Sequence, residues 1–142
     1  MKRIITSLFL LAIAASNAQE KPIKPTELPK PATEFLALYF KNNAIHHAIK
    51  DTDKTKVTYE VMLADGTEAE FTETGAWKEV DGQGKAIPTA FIPVGITSYV
   101  KTNYGKEKIT HIDKGLRDID IDLSNKVELE FDLAGKFLRI DK

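Results

Sequence analysis

The sequence predicts an α+β protein of two tandem repeats, each one short helix packed on an approximately four-stranded antiparallel sheet, sharing one core. The main observation is an internal repeat. Residues 59–81 match residues 119–141 at a constant shift of 60. Upstream, residues 28–45 match residues 92–109 at a shift of 64. Self-similarity at a fixed spacing indicates a repeated structural unit. A unit of roughly 55 residues would be marginally stable alone, so we expect the two to share their core.

The N-terminus has the pattern of a secretory signal peptide. Lys2 and Arg3 precede an apolar run over residues 4–15, and small residues lead to Ala18-Gln19. This pattern predicts a signal peptide over residues 1–18. The run is shorter than the ~20 residues that a membrane-spanning helix needs. We therefore expect a periplasmic or secreted protein without a membrane span.

Residues 19–30 are predicted to form a proline-rich leader. Pro22, Pro25 and Pro29 recur in this segment, and such spacing favours an extended polyproline-type conformation. The two repeat units are then expected to occupy residues 31–84 and 85–142, with a polar loop at residues 81–86 between them.

Each unit is expected to open with a short helix. The first should begin near Pro31, since proline is tolerated in the first helical turn, and its apolar stripe is predicted at Phe35, Leu38 and Tyr39. The second helix should follow Pro93. Its predicted stripe consists of Ile96, Tyr99, Val100 and Tyr104.

Antiparallel strands should follow each helix, beginning with residues 44–50 in the first unit and 108–113 in the second. Alternating apolar residues predict the next strand at residues 58–63. A three-residue turn ending at Gly66, in the left-handed conformation, keeps Tyr59 opposite Phe71. The second unit has Lys126 in place of Gly66, which is unfavourable if the backbone is the same.

A second turn in each unit brings two core aromatic residues together. Thr74-Gly75 is predicted to place Trp77 beside Phe71. By the same spacing, Phe137 should lie beside Phe131.

Composition excludes several classes of function. The chain has no cysteine, so disulfides and thiolate metal sites are absent. Without Lys2 and Arg3, the 21 acidic residues outnumber the remaining basic ones, which argues against nucleic-acid binding. Beyond the predicted signal peptide the serines are Ser98 and Ser124, and neither has a nucleophile-elbow context. We therefore expect no catalytic residue, no cofactor and no enzymatic activity.

Three histidines leave two interpretations open. His47 and His111 occupy equivalent positions in the repeat, and His46 adjoins the first. If a pseudo-twofold axis relates the two units, the imidazoles could meet and bind Zn²⁺ or Cu²⁺. Alternatively, they are ordinary strand residues at opposite ends of the sheet.

The outward face of the second hairpin is strongly acidic, with carboxylates alternating with core residues on two strands. The predicted register opposes Asp122 to Glu128, Asp120 to Glu130 and Asp118 to Asp132. Directly opposed like charges cost ~0.2–1 kcal/mol per pair, which the fold can tolerate. Such a face suits a basic partner or Ca²⁺. The candidate partner-binding residues are therefore Asp118, Asp120, Asp122, Glu128, Glu130 and Asp132.

The turn and core residues resemble those of a known family. Leu28-Pro29, then Asp65-Gly66 followed by Phe71, Gly75 and Trp77, resemble the pattern of the PepSY-like proteins of bacterial envelopes. These proteins are grouped by fold with the secreted beta-lactamase inhibitor protein. The resemblance covers residues 28–142 as one domain. It implies a periplasmic or secreted two-repeat α+β domain whose open sheet face can lie against another protein.

We therefore expect a monomeric, non-enzymatic protein-binding module of the envelope, whose partner is another envelope protein. Its most concrete form is modulation or inhibition of a peptidase or another envelope enzyme, which the resemblance implies. The alternative is a carrier of a small ligand or metal ion that uses His46, His47, His111 or the acidic face.

Overall fold

Strands dominate residues 18–141, which are the residues that this computed structural model describes. The helices are α1 (Lys30–Tyr39) and α2 (Val94–Asn103), and a short 3₁₀ turn, Pro25–Glu27, precedes α1. The strands are β1 (Ala18–Ile23), β2 (Ile45–Asp53), β3 (Lys56–Leu63), β4 (Glu68–Thr72), β5 (Trp77–Asp81), β6 (Ile109–Lys114), β7 (Asp118–Leu123), β8 (Glu128–Asp132) and β9 (Phe137–Asp141).

All of these strands form one nine-stranded antiparallel sheet, in which each strand pairs with its neighbours in the sequence. The prediction of two tandem helix-plus-sheet repeats is therefore wrong. Strand β5 pairs with β6, with Val80 opposite Ile112, so the sheet continues where the second unit was expected to begin. The physical reason is that two separate sheets would leave the backbone groups of β5 and β6 as unpaired edges.

Part of the predicted leader belongs to this sheet. Strand β1 pairs with β2, with Lys21 opposite Lys50, and Ile23 packs against the core. Pro22 is tolerated there because β1 is an edge strand. The predicted signal peptide covers residues 1–18, of which residues 1–17 lie outside the described residues.

Both helices pack on the same face of the sheet, as expected. In α1, Ala32, Phe35 and Leu36 are buried, and the Phe35 ring lies 5.5 Å from that of Phe71. The prediction that Leu38 belongs to this stripe is wrong, since 70% of Leu38 is exposed. The buried residues recur at i, i+3 and i+4, and position 38 falls outside that stripe.

Helix α2 is positioned by close contact with the β8–β9 turn. Ile96 and Val100 are buried, and Tyr99 stacks on Phe137 with ring centroids 4.3 Å apart. A Cβ at Gly95 would lie 2.6 Å from the carbonyl oxygen of Gly135, so only glycine permits this approach. The glycine that weakens the helix thus brings it against the sheet.

The predicted hairpin registers are confirmed. Tyr59 lies opposite Phe71, which in turn lies opposite Trp77 across a bulge. In the second hairpin, Phe131 lies opposite Phe137 across a bulge at the equivalent position. The matching sequences therefore produce matching turns and bulges within one continuous sheet.

Within residues 18–141, neither helix has the length and apolar character needed to cross a bilayer.

Lys126 has a φ of 72°, in the left-handed region that Gly66 occupies with a φ of 88°. A side chain in this region costs ~1 kcal/mol. We therefore expect Lys126→Gly to raise the free energy of unfolding by up to about 1 kcal/mol. The matched control, Gly66→Ala, meets no atom within 4 Å and should lower it by about 1 kcal/mol through backbone strain alone. Urea unfolding measures both changes, and a clear loss of stability in Lys126→Gly would contradict the backbone assignment.

Candidate functional site

The face of the sheet that faces away from the helices carries a line of carboxylates. Residues alternate between faces along each strand, so Val61 and Ile121 point into the core while their neighbours point outward. We call one line of outward residues, running across the strands, the acidic row. Each member is the register partner of the next, from β3 to β8: Glu60, Glu70, Glu79, Asp113, Asp120 and Glu130.

The acidic row crosses the sheet perpendicular to the strands. With a strand spacing of ~4.8 Å it extends over about 24 Å. Two residues further along the strands lies a second outward row, aligned in the same register. It consists of Met62, Glu68, Asp81, His111, Asp122 and Glu128.

Internal cations neutralise part of this charge. Near one end of the acidic row, Lys78 Nζ lies 3.3 Å from Glu70 Oε1. At the other end, Arg139 Nη2 lies 2.6 Å from the buried Glu130 Oε2. Arg139 is the register partner of Glu130 on β9, so the row ends in a guanidinium group.

His111 is held between two carboxylates. Its Nε2 lies 2.8 Å from Glu79 Oε1, and its Nδ1 lies 3.3 Å from Asp122 Oδ2. Burial acts to lower the pKa of His111, but the hydrogen bonds and charges of Asp122 and Glu79 outweigh it and raise the pKa to about 10. The imidazole is therefore a cation at neutral pH, and Nε2–H donates to Glu79.

Burial, and after it the crowding of like charges, raises the pKa of several members of the acidic row. Burial, followed by the charges of Glu70 and other carboxylates, raises the pKa of Glu60 to about 7. Burial, followed by the charge of Asp118 and then Glu130, raises the pKa of Asp120 to about 6. Burial also raises the pKa of Glu79, although His111 opposes that shift. Full ionisation of the row therefore opposes folding near neutral pH.

Asp113 occupies the middle of the acidic row and lacks a partner for one oxygen. The residue is 6% exposed, and its Oδ1 is buried without a hydrogen bond. Its register neighbours are Glu79 and Asp120, which are themselves acidic. A buried polar atom without a hydrogen-bond partner costs ~1–3 kcal/mol of folding free energy, so a donor that bonded Asp113 Oδ1 would be stabilising.

The register predicted for the candidate partner-binding residues is confirmed: Asp122 lies opposite Glu128, Asp120 opposite Glu130 and Asp118 opposite Asp132. Their surroundings differ, however. Asp132 Oδ1 accepts hydrogen bonds from the backbone N–H groups of Ala134 and Lys136, and so it serves the β8–β9 turn. Whether these six residues bind a partner stays a prediction.

Sequence reasoning left four members of the acidic row out of the candidate partner-binding residues, because the row crosses the boundary between the two expected units. Glu79 and Asp113 meet through the β5–β6 pairing, which joins Glu60 and Glu70 to the acidic hairpin. Their outward position agrees with the alternation of each strand. The signal was therefore present, but it required the pairing of β5 with β6.

The histidines do not converge. His47 lies on β2 and His111 on β6, so four strand spacings, roughly 19 Å, separate them. His46 Nδ1 and His47 Nδ1 lie 2.8 Å apart. Among residues 18–141, no group of three or more His, Cys, Asp or Glu side chains is arranged to hold a metal ion. The structure therefore favours ordinary strand residues over a shared histidine site.

Replacement of Glu60 by glutamine should change the pH dependence of stability. The pKa of Glu60 is about 7 in the folded protein and 4.5 as its ordinary value. The folded state therefore binds more protons than the unfolded state between these values, and stability falls as the pH rises through this window. We expect Glu60→Gln to be more stable than the parent by about 1 kcal/mol at pH 8, after solvent screening, with little difference below pH 4.5.

Urea unfolding at pH 4.5, 6 and 8 measures this difference, with the exposed Glu73→Gln as the control. A difference between Glu60→Gln and the parent that stays constant from pH 4.5 to pH 8 would contradict the raised pKa.

Comparison with known proteins identifies the family to which this chain belongs. The family described as "Putative beta-lactamase-inhibitor-like, PepSY-like" matches residues 57–139. No protein with a curated description matches the chain significantly.

Three solved structures share the fold over nearly their whole length. A Bacteroides thetaiotaomicron protein described as a "putative calcium-regulated periplasmic protein" is 36% identical, with a TM-score of 0.83, and the match covers 87% of this chain and 97% of that one. A "putative periplasmic protein" from Bacteroides vulgatus is 34% identical, with a TM-score of 0.83 and coverage of 87% and 98%. A second protein from that organism, described as periplasmic and "of unknown function", is 31% identical, with a TM-score of 0.81 and coverage of 88% and 99%. The chain belongs to the PepSY-like family.

Proposed function

We propose that this protein is a non-enzymatic, protein-binding module of the bacterial envelope, and that its open sheet face contacts the partner. The observation that supports this most strongly is the one-sided sheet. Helices cover one face, while carboxylates aligned across six strands occupy the other. The periplasmic description of the solved relatives supports the compartment.

The energetic cost of the acidic row supports a role outside folding. Adjacent like charges cost ~0.2–1 kcal/mol per pair, so five neighbouring pairs cost roughly 1–5 kcal/mol before compensation. A domain of this size has a total stability of about 5–15 kcal/mol. Part of that cost is offset by ion pairs with Lys78, His111 and Arg139. A feature that opposes folding is better explained by what it binds.

Charge complementarity defines the partner. Acidic surfaces accelerate association with basic surfaces and fix the orientation of the complex. We therefore infer an envelope protein with a basic patch as the partner. The family description as beta-lactamase-inhibitor-like supports inhibition or modulation of an envelope enzyme as the most concrete outcome of binding.

The surroundings of the serines support a non-enzymatic role. The Ser124 hydroxyl donates to Glu107 Oε2, 2.5 Å away, and accepts from the backbone N–H of Lys108, so it stabilises a turn. Ser98 is exposed on α2. Neither hydroxyl forms a hydrogen bond to one of the described histidines, which a nucleophile–base pair requires.

A second candidate is regulation by Ca²⁺, because one relative is described as calcium-regulated. The oxygen donors of the acidic face suit Ca²⁺, which takes 6–8 oxygen ligands. Their arrangement does not, since no group of three or more of the described acidic or histidine side chains is placed to hold a metal ion. Side chains would therefore have to rearrange around the ion. Thermal stabilisation by CaCl₂ but not by MgCl₂ would favour this candidate.

Site-specific photo-cross-linking in the native periplasm tests the binding role. A cross-linking amino acid at Asp118 samples the outer face, and one at Leu38 samples the exposed surface of α1. We expect a defined protein adduct from position 118 and none from position 38, identified by mass spectrometry. Adducts from position 38 alone, or none from outer-face positions, would contradict the proposal.

A further inference from the structure

We propose that Asp113 and Asp120 form a seat for a single arginine side chain of the partner. This inference rests on the proposed binding function and specifies the chemistry at the centre of the contact. Three observations support it: the distribution of cations along the acidic row, the unpartnered oxygen of Asp113, and the spacing of the two carboxylates.

The internal cations leave the centre of the row uncompensated. Glu70 pairs with Lys78, Glu79 with His111, and Glu130 with Arg139. Within residues 18–141, Asp113 and Asp120 have no ion pair. The adjacent Lys114 does not supply one, because its Nζ lies 4.3 Å from the centroid of the Trp77 ring.

The unpartnered oxygen lies in the gap between these ion pairs. Asp113 is more than nine-tenths buried, and its Oδ1 has no donor. Asp120 lies directly opposite on β7 and is partly exposed, so an incoming cation reaches Asp120 first. Because Asp113 Oδ1 is closed to solvent, a cation that bridges both residues requires the Asp113 side chain to turn outward; it then provides the missing donor and screens their mutual repulsion.

The geometry suits a guanidinium group. Side chains directly opposed on antiparallel strands have Cβ atoms ~4.5–5.5 Å apart, so both carboxylates can face one ligand. Arginine presents a planar fork of donors that bonds two acceptors at once. The same chemistry already occurs in this row, where Arg139 on the next strand pairs with Glu130 at 2.6 Å. The absence of a convergent three-ligand group among the described residues favours an organic cation over a metal ion.

Titration with a short peptide tests the seat. The probe is a glycine–serine peptide carrying three arginines, and its neutral counterpart carries citrulline at the same positions. Backbone amide shifts of the isotope-labelled protein report the site and the affinity. We expect the largest shifts around Asp113 and Asp120, and at least tenfold weaker binding of the citrulline peptide.

Substitutions distinguish a specific site for arginine from general attraction by the negative charge of this face. Asp113→Asn and Asp120→Asn should each weaken binding of the arginine peptide at least fivefold. Glu68→Gln removes one charge from the same face, two residues away from the acidic row, and should weaken binding less than twofold. Because both aspartate variants relieve repulsion, they should unfold at the same or a higher temperature than the parent. Loss of binding would then not reflect loss of folding.

Several outcomes would overturn the seat. Equal weakening by all three variants would mean that only the overall field attracts the peptide. Equal binding of the citrulline peptide would remove the role of the guanidinium. Shifts at Asp113 and Asp120 with CaCl₂, but none with the arginine peptide, would assign the position to a metal ion. If Asp113→Asn and Asp120→Asn still form the outer-face cross-linked complex unchanged, the arginine seat is rejected and the binding function stands. If no outer-face adduct forms at all, the binding function itself is rejected.

Discussion

The unbroken register of the sheet, above all the pairing of β5 with β6, is the constraint on which the rest of the structure depends. It places Val80 opposite Ile112 in the core and Glu79 opposite Asp113 outside. One pairing therefore joins the two hydrophobic halves and the two acidic halves together. A register shift of one residue in this pairing would expose Val80 and bury carboxylates. The burial of the core therefore also fixes the alignment of the acidic row.

Local features of the fold were predictable because tight turns determine them. Gly66 sets the β3–β4 register and Gly75 the β4–β5 register, and the matching sequence does the same in the second hairpin. The β5–β6 pairing is different, since residues 82–108 and a helix separate the two strands. No turn residue encodes such a register. The similarity of the two halves instead suggested separate units, because a repeat pattern does not reveal whether neighbouring edges pair.

The candidate site likewise has one part that was predictable from the sequence and one part that was not. The opposed carboxylates of β7 and β8, such as Asp120 and Glu130, follow from one hairpin and were predicted. Asp113 was missed because its position opposite Glu79 depends on the non-local pairing. Its unpartnered oxygen depends on burial, which the sequence does not show. The acidic hairpin is thus one end of the acidic row, and the carboxylate that lacks a hydrogen-bond donor, Asp113, lies at the centre of that row.

A double-mutant cycle on Glu79 and Asp113 tests the central claim that one pairing aligns a continuous acidic row. The unfolding free energies of Glu79→Gln, Asp113→Asn and the double variant are measured at low salt and in 1 M NaCl. We expect a repulsive coupling of ~0.2–1 kcal/mol between the two carboxylates at low salt that shrinks in high salt. Additive effects at low salt would mean that the two carboxylates do not face each other, and the continuous row would be contradicted.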